Sequence, residues 1–163
     1  MSAEEWIEKL QLQPHPEGGA FKENYRSVIL HQTEFDQGEK ALRNLCTAIY
    51  YLLREGECSV FHRILSDELW HHYDGGDLLI YCLDPLQGMQ IIRLGKNHPE
   101  ALPQFCVQAG IWFASRPDAG AGFVLAGCTV APGFDFNDFE LAKREDLLGQ
   151  YPMHSEEIVK LTL

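Results

Sequence analysis

The sequence predicts a mainly β protein, an antiparallel sandwich or barrel with short helices near its two ends, and three observations carry that expectation. Nine short runs rich in β-branched and aromatic residues follow one another: "AFKENYRSVIL", "CTAIYYLL", "SVFHRIL", "ELWHHY", "LLIYCL", "MQIIRL", "FCVQ", "IWFAS" and "GFVLAGCTVA". Gly, Pro, Asp or Asn separates them at intervals of about ten residues, the punctuation of strands and turns. No helix-period segment intervenes, which favours antiparallel pairing over βαβ crossovers.

Before the first run, Ser2 and Glu5 form a capping-box pattern, and Trp6, Ile7 and Leu10 share one apolar face, so a short helix ending before Pro14 is expected. "PHPEGG" at residues 14–19 reads as a loop, with prolines fixing its entry and Gly18 and Gly19 its turn. A functional alternative places His15 or Glu17 at a barrel mouth; for His15 the plain loop reading is preferred. Along "AFKENYRS", strand parity puts Lys22, Asn24 and Arg26 on one face and Phe21, Glu23 and Tyr25 on the other. Arg26 is a candidate to grip a carboxylate or phosphate with its planar fork. Near the C-terminus, Asn137 and Glu140 suggest a second capping box opening "DFELAKREDLL", and "SEEIVKLTL" suggests a last helix.

At 163 residues the chain suits one domain, large enough to bury roughly 70% of its unfolded surface. A net charge of -11 with no Lys/Arg cluster argues against nucleic-acid binding, since phosphates would be repelled. No apolar run approaches the ~20 residues a membrane span needs. The acidic, amphipathic start is unlike a signal peptide. Five cysteines without a CxxC pair suggest neither a zinc ribbon nor a disulfide framework. They read as buried thiols, and a cytoplasmic location is expected.

The segment "GECSVFHRILSDELWHHYDGG" carries the chemistry: three histidines, with acidic residues and a tryptophan, in one predicted hairpin turning at Ser66 and Asp67. Parity aligns Val60, His62 and Ile64 on one face of its first strand, and Glu68, Trp70 and His72 on one face of its second; a bulge would reverse the second assignment. An imidazole beside a carboxylate is an oriented general base, a half-built metal site or a structural hydrogen-bonded pair.

This segment resembles the first motif of the cupin superfamily, G-x5-H-x-H-x3-4-E-x6-G, from Gly56 through His62 and Glu68 to Gly75, with Ile64 where the second histidine belongs. The second motif, P-x-G-x2-H-x3-N, overlays "QAGIWFASRP", where Gly110 matches, while Gln108, Phe113 and Pro117 replace its proline, histidine and asparagine. Together with "LQPHPEGGAFKENYRS", "AIYYLL" and "GCTVAPGFDFNDFEL", these stretches resemble an uncharacterised cupin-like family, a domain-of-unknown-function group filed as a fifth cupin subfamily, over residues 12–141.

The resemblance implies one cupin-type domain over residues 1–163, a double-stranded antiparallel β-helix (jelly-roll barrel), similar in fold to metal-free sugar-nucleotide epimerases. It implies a small-molecule ligand, no cofactor, and a homodimer or higher homo-oligomer. Of the four protein ligands of a metal-binding cupin only His62 and Glu68 remain, so no metal is expected. His62, Glu68, Tyr25 and Tyr51 are the catalytic candidates, a tyrosine serving as the acid that complements His62; Tyr73 is a further candidate by position. His62, Ile64, Trp70, His72, Arg26, Phe113 and Asp135 are the ligand-contact candidates, although Trp70, Trp112 and Phe113 also suit the core. His31, His98 and His154 sit in loop-like contexts and carry no signal. Three function classes follow: a metal-independent isomerase or epimerase on a sugar-like or other small polar molecule; a metal-dependent dioxygenase or isomerase using a displaced histidine; and a non-catalytic metabolite-binding module.

Overall fold

Alternation of buried side chains explains how the nine runs assemble. The computed structural model describes residues 1–35, 38 and 40–163. After helix α1 (Ala3–Leu10) come β1 (Gln13–Pro14), β2 (Ala20–Arg26), β3 (Leu30–Glu34), β4 (Lys40–Asn44), β5 (Thr47–Arg54), β6 (Ser59–Ile64), β7 (Asp67–Gly75), β8 (Leu78–Asp84), β9 (Gly88–Leu94), β10 (Gln104–Val107), β11 (Trp112–Pro117), β12 (Phe123–Ala131) and β13 (Phe139–Leu141). Helices α2 (Arg144–Gln150) and α3 (Ser155–Lys160) follow. One sheet runs β1-β2-β5-β12-β7-β10 and the other β13-β6-β11-β8-β9, with every pairing antiparallel, and β3 and β4 form a separate hairpin. The fold is the mainly β jelly-roll barrel that the resemblance implies.

In β5 the inward side chains Tyr51 and Leu53 join Trp70, Ile80, Phe113 and Val124 between the sheets, whereas Leu52 points outward under α1 with Ala3, Leu12 and Leu125. In β8, Ile80 and Cys82 face inward, while Tyr81 and Leu83 meet Phe61, Leu147, Ile158 and Leu161 beneath the C-terminal helices. Runs such as "YYLL" and "LLIYCL" are therefore apolar on both faces because both faces are covered. Gly75, in the position of the motif's last glycine, has φ +87°, and a Cβ there would lie 2.2 Å from the Phe123 carbonyl oxygen; only glycine fits that approach.

The Ser2–Glu5 capping box forms as expected, and α3 appears where "SEEIVKLTL" predicts it. The second capping box does not. Asp135 instead caps a single 3₁₀ turn over Phe136–Asp138, Phe139–Leu141 then pairs with β6 as an added strand, and α2 begins only at Arg144. The β3–β4 hairpin was not foreseen, since its polar sequence lacks a buried face. Buried-thiol status holds for Cys82 and Cys128 alone; Cys46 and Cys58 are half-buried and Cys106 is exposed. Among the described residues no helix is long and apolar enough to cross a membrane.

Candidate functional site

Residue parity on β6 carries His62 and Ile64 into the barrel, and parity on β7 does the same for Glu68. They line a cavity of about 320 Å³ walled by Phe21, Ile49, Val130 and Phe139, at the lower end of the ~300–1,000 Å³ typical of small-molecule sites. Thr47 and Ile49 of β5 line it; Tyr51, next on the same face, belongs to the core beyond it.

The other half of the polar floor comes from the loop between β1 and β2. Val60 N–H donates to the Glu17 carbonyl (3.1 Å), His15 N–H to the Gly19 carbonyl (3.0 Å), and the Tyr51 hydroxyl to the Gly18 carbonyl (2.7 Å). A Cβ on Gly18, whose φ is +114°, would lie 2.0 Å from the Cys58 carbonyl oxygen. The loop is thus pressed against β6, and this seats the Glu17 carboxyl 3.2 Å (Oε2) from His62 Nε2, with both side chains buried.

Hydrogen-bond roles follow from what each partner can do. The Val60 carbonyl can only accept, so the His62 Nδ1 it meets at 2.8 Å carries a proton. A neutral His62 then presents a lone pair at Nε2, and Glu17 must be protonated to donate to it; the alternative is an imidazolium facing a carboxylate. In both cases one proton lies in the Glu17–His62 contact. His15 Nδ1 accepts from the Glu17 N–H (3.2 Å) and lies 3.6 Å from Glu17 Oε1.

Burial dominates the electrostatics. It raises the Glu17 carboxyl to about 8, against the pull of the Ser59 and Tyr51 hydroxyls beside it. It raises Glu68 to about 7, with His62 drawing it back and Glu17 pushing further up. His62 is lowered by burial, opposed by Glu68 and by its bond to Val60. Burial also lowers His15, to about 4, with His62 adding to the effect. Two buried carboxyl groups with proton affinities raised toward neutrality therefore share one cavity.

At the opposite end of the cavity stand Glu23, Arg26, Phe134, Asp135 and Phe136. Arg26 holds Glu23 through Nε (2.8 Å) and Nη2 (2.7 Å), Asn44 Oδ1 through Nη1 (2.8 Å), and the Phe134 carbonyl through both terminal nitrogens (3.2 Å). A bidentate pair between Arg43 and Asp138 (2.7 and 2.6 Å) anchors the same segment to β4.

Of the residues the sequence singled out, His62, Ile64, Glu68, Arg26 and Asp135 line the cavity. The others need correction. Tyr25 is on the outer surface, 54% exposed. Tyr51 is buried and supports the loop through Gly18 instead of facing the cavity. Trp70 and Phe113 are core; Phe113 packs its ring 4.1 Å from that of His62, where the motif's missing histidine would stand. His72 binds the Gly76 carbonyl (2.9 Å) and His71 the Thr129 hydroxyl (3.1 Å), both away from the cavity lining. Tyr73 is half-exposed, at the bulge that follows His72. A register shift between Glu23 and Tyr25 also changes the reading of β2: Arg26 joins Phe21 and Glu23 on the cavity side. His15, for which the plain loop reading was preferred, and Glu17, offered only as a barrel-mouth alternative, both line the cavity.

The donor set does not suit a metal. Ile64 and Phe113 place hydrocarbon at two ligand positions, and Glu17 occupies His62 Nε2. Among the described residues no three His, Cys, Asp or Glu side chains are arranged to hold a metal ion.

Comparison with known proteins identifies the family and matches the fold. Residues 4–142 match the family described as Cupin superfamily (DUF985). The crystal structure of protein SO0799 from Shewanella oneidensis is 40% identical, with a TM-score of 0.86, over 100% of this chain and 98% of its own. A hypothetical protein from Leishmania major is 34% identical, with a TM-score of 0.88, over 99% of both chains. The Saccharomyces cerevisiae uncharacterized protein YML079W is 30% identical over 159 residues, 90% of this chain and 78% of its own.

Proposed function

Because the chain belongs to the DUF985 family of the cupin superfamily, we propose that its cavity binds a small polar molecule and isomerises it by metal-independent proton transfer. The observation that carries this reading is the Glu17–His62 contact in the cavity, which a second buried carboxyl, Glu68, also lines. Near neutral pH the Glu68 carboxylate takes a proton from a carbon next to a carbonyl. The Glu17–His62 pair gives its proton to the carbonyl oxygen, and an enol results. Return of one proton to carbon and of the other to the pair completes an isomerisation or epimerisation with no net proton change. Glu17 takes the role of complementary acid that the sequence reading gave to a tyrosine. Apolar walls exclude water and strengthen each of these interactions.

The test is solvent-deuterium incorporation, followed by NMR, into a panel of small hydroxy-carbonyl compounds in the presence of a chelator. Exchange insensitive to chelator and reduced in both His62→Ala and Glu68→Gln supports the reading. Exchange that requires stoichiometric bound metal overturns it.

A further inference from the structure

The cavity's charge distribution says what kind of molecule it takes, and this inference rests on reading the cavity as a ligand site. Its lining holds four carboxyl groups, Glu17, Glu23, Glu68 and Asp135, against one guanidinium. That guanidinium, Arg26, spends all three of its nitrogens on Glu23, Asn44 and the Phe134 carbonyl, and its neighbour Arg43 is spent on Asp138. Among the described residues no lining cation is left to meet an anion. Summed over Arg26, Arg43, Glu23, Asp135 and Asp138, the outer end of the cavity carries one excess negative charge. The Asp135 Oδ1 atom accepts from the Asn137 N–H and side-chain amide, and no donor among the described residues reaches Oδ2.

Deeper in, Glu68 is buried beside Cys128, and no N–H or hydroxyl donor among the described residues reaches it. A buried carboxyl aimed into a cavity without such a donor implies a donor on the ligand.

Aromatic rings supply the third observation. Phe134, Phe136 and Phe139 all line the cavity, with centroids 4.9, 6.1 and 6.2 Å apart and interplanar angles of 81°, 77° and 69°. Three planes near right angles to one another leave no approach that is edge-on to all of them, so a group beside the trio meets at least one ring toward its face. Ring faces are negative and attract cations. Asp135 sits between two of these rings in sequence. Phe139 in turn lies 5.3 Å from the His62 ring, so the trio continues to the floor.

We propose that the ligand is an organic cation whose ammonium group sits against Phe134, Asp135 and Phe136, while an uncharged hydrogen-bond donor reaches Glu68. Phosphorylated sugars, sugar nucleotides and carboxylic acids are excluded by the same charges. The cation is held by ring faces and one carboxylate, so substituted ammonium groups suit the site better than a bare one.

The test uses choline, its uncharged carbon isostere in which a quaternary carbon replaces the nitrogen, and inorganic phosphate, each titrated against the full chain by NMR of the phenylalanine rings. Choline is expected to shift the Phe134, Phe136 and Phe139 resonances and to bind roughly tenfold more tightly than the isostere. Phe136→Leu, which keeps apolar area but removes the ring, and Asp135→Asn, which keeps the turn cap, should each cut that preference several-fold. Both positions are at the rim, so the fold is undisturbed. Equal binding of choline and its isostere, tighter binding of phosphate, or no shift from choline overturns the proposal. Each of these leaves the deuterium-exchange test of the floor residues intact, so the two readings fail separately.

Discussion

The hairpin of β6 and β7 holds three of the chain's seven histidines, and the loop at residues 14–19 holds one. From the hairpin, His62 and Glu68 reach the cavity, while His71 and His72 are turned to Thr129 and Gly76. From the loop, both His15 and Glu17 reach it. Strand alternation turns His71 to the opposite face, while His72, on the face of Glu68 and Trp70, lies past the core residue Trp70 at the Gly76 end of the strand. A loop obeys no such rule. It is placed by tertiary hydrogen bonds, here to Val60 and Tyr51, and all of its chemistry can point one way.

The largest expected effect separates the two regions by function. His62→Ala should lower deuterium exchange by about 10²–10⁴-fold, the usual worth of a positioned acid or base. Next comes the loop's seating: Gly18→Ala puts a Cβ 2.0 Å from a carbonyl oxygen at positive φ. It should cost about 3 kcal/mol or more in chemical denaturation and should displace Glu17 as well. If Gly18→Ala leaves stability untouched, the loop is not docked as described.

The third effect is a pH dependence. Glu17 has its folded value raised to about 8 from the ordinary 4.5, so the unfolded chain gives up that proton first. Stability falls as pH rises between those values, by about 1.4 kcal/mol per unit. The lowered histidines act oppositely, but only up to their ordinary value of 6.5. Glu68, raised to about 7, adds to the decline up to that value, so the Glu17 contribution stands out between about pH 7 and 8. Glu17→Gln, whose amide can donate to His62 as the protonated acid does, should flatten a decline of about 1.4 kcal/mol across that interval. An unchanged decline would reassign it to another group. The smallest effect is His72→Ala, which loses one hydrogen bond to the Gly76 carbonyl. About 1 kcal/mol or less is expected, with exchange activity intact; loss of activity would mean that the β7 histidines act after all.

Much of this architecture was legible in the sequence. The nine runs became nine strands because turn residues and β-branched composition are local signals. His62, Ile64 and Glu68 could be placed inside the barrel by parity together with the motif's spacing. Parity failed on β2, where the register shift after Glu23 carried Arg26 to the cavity side, because a bulge leaves no mark in the residue pattern. The same bulge carried Tyr25 to the outer face, and Tyr51 is inward but buried under the loop. Glu17 could be offered only as a barrel-mouth alternative, because its partner, His62, lies 45 positions away along the chain. The turn at Asp135 also escaped, because "FNDFE" satisfies a helix-capping pattern that pairing with β6 overrides.

The central claim is that a proton is held between Glu17 and His62. Its most direct test is a carbon-13 NMR titration of the Glu17 side-chain carboxyl in the wild type and in His62→Gln. The account predicts a wild-type midpoint near 8, reported as that of a coupled pair, and a displaced midpoint in the variant. A wild-type midpoint near 4.5, unmoved by the substitution, would contradict it.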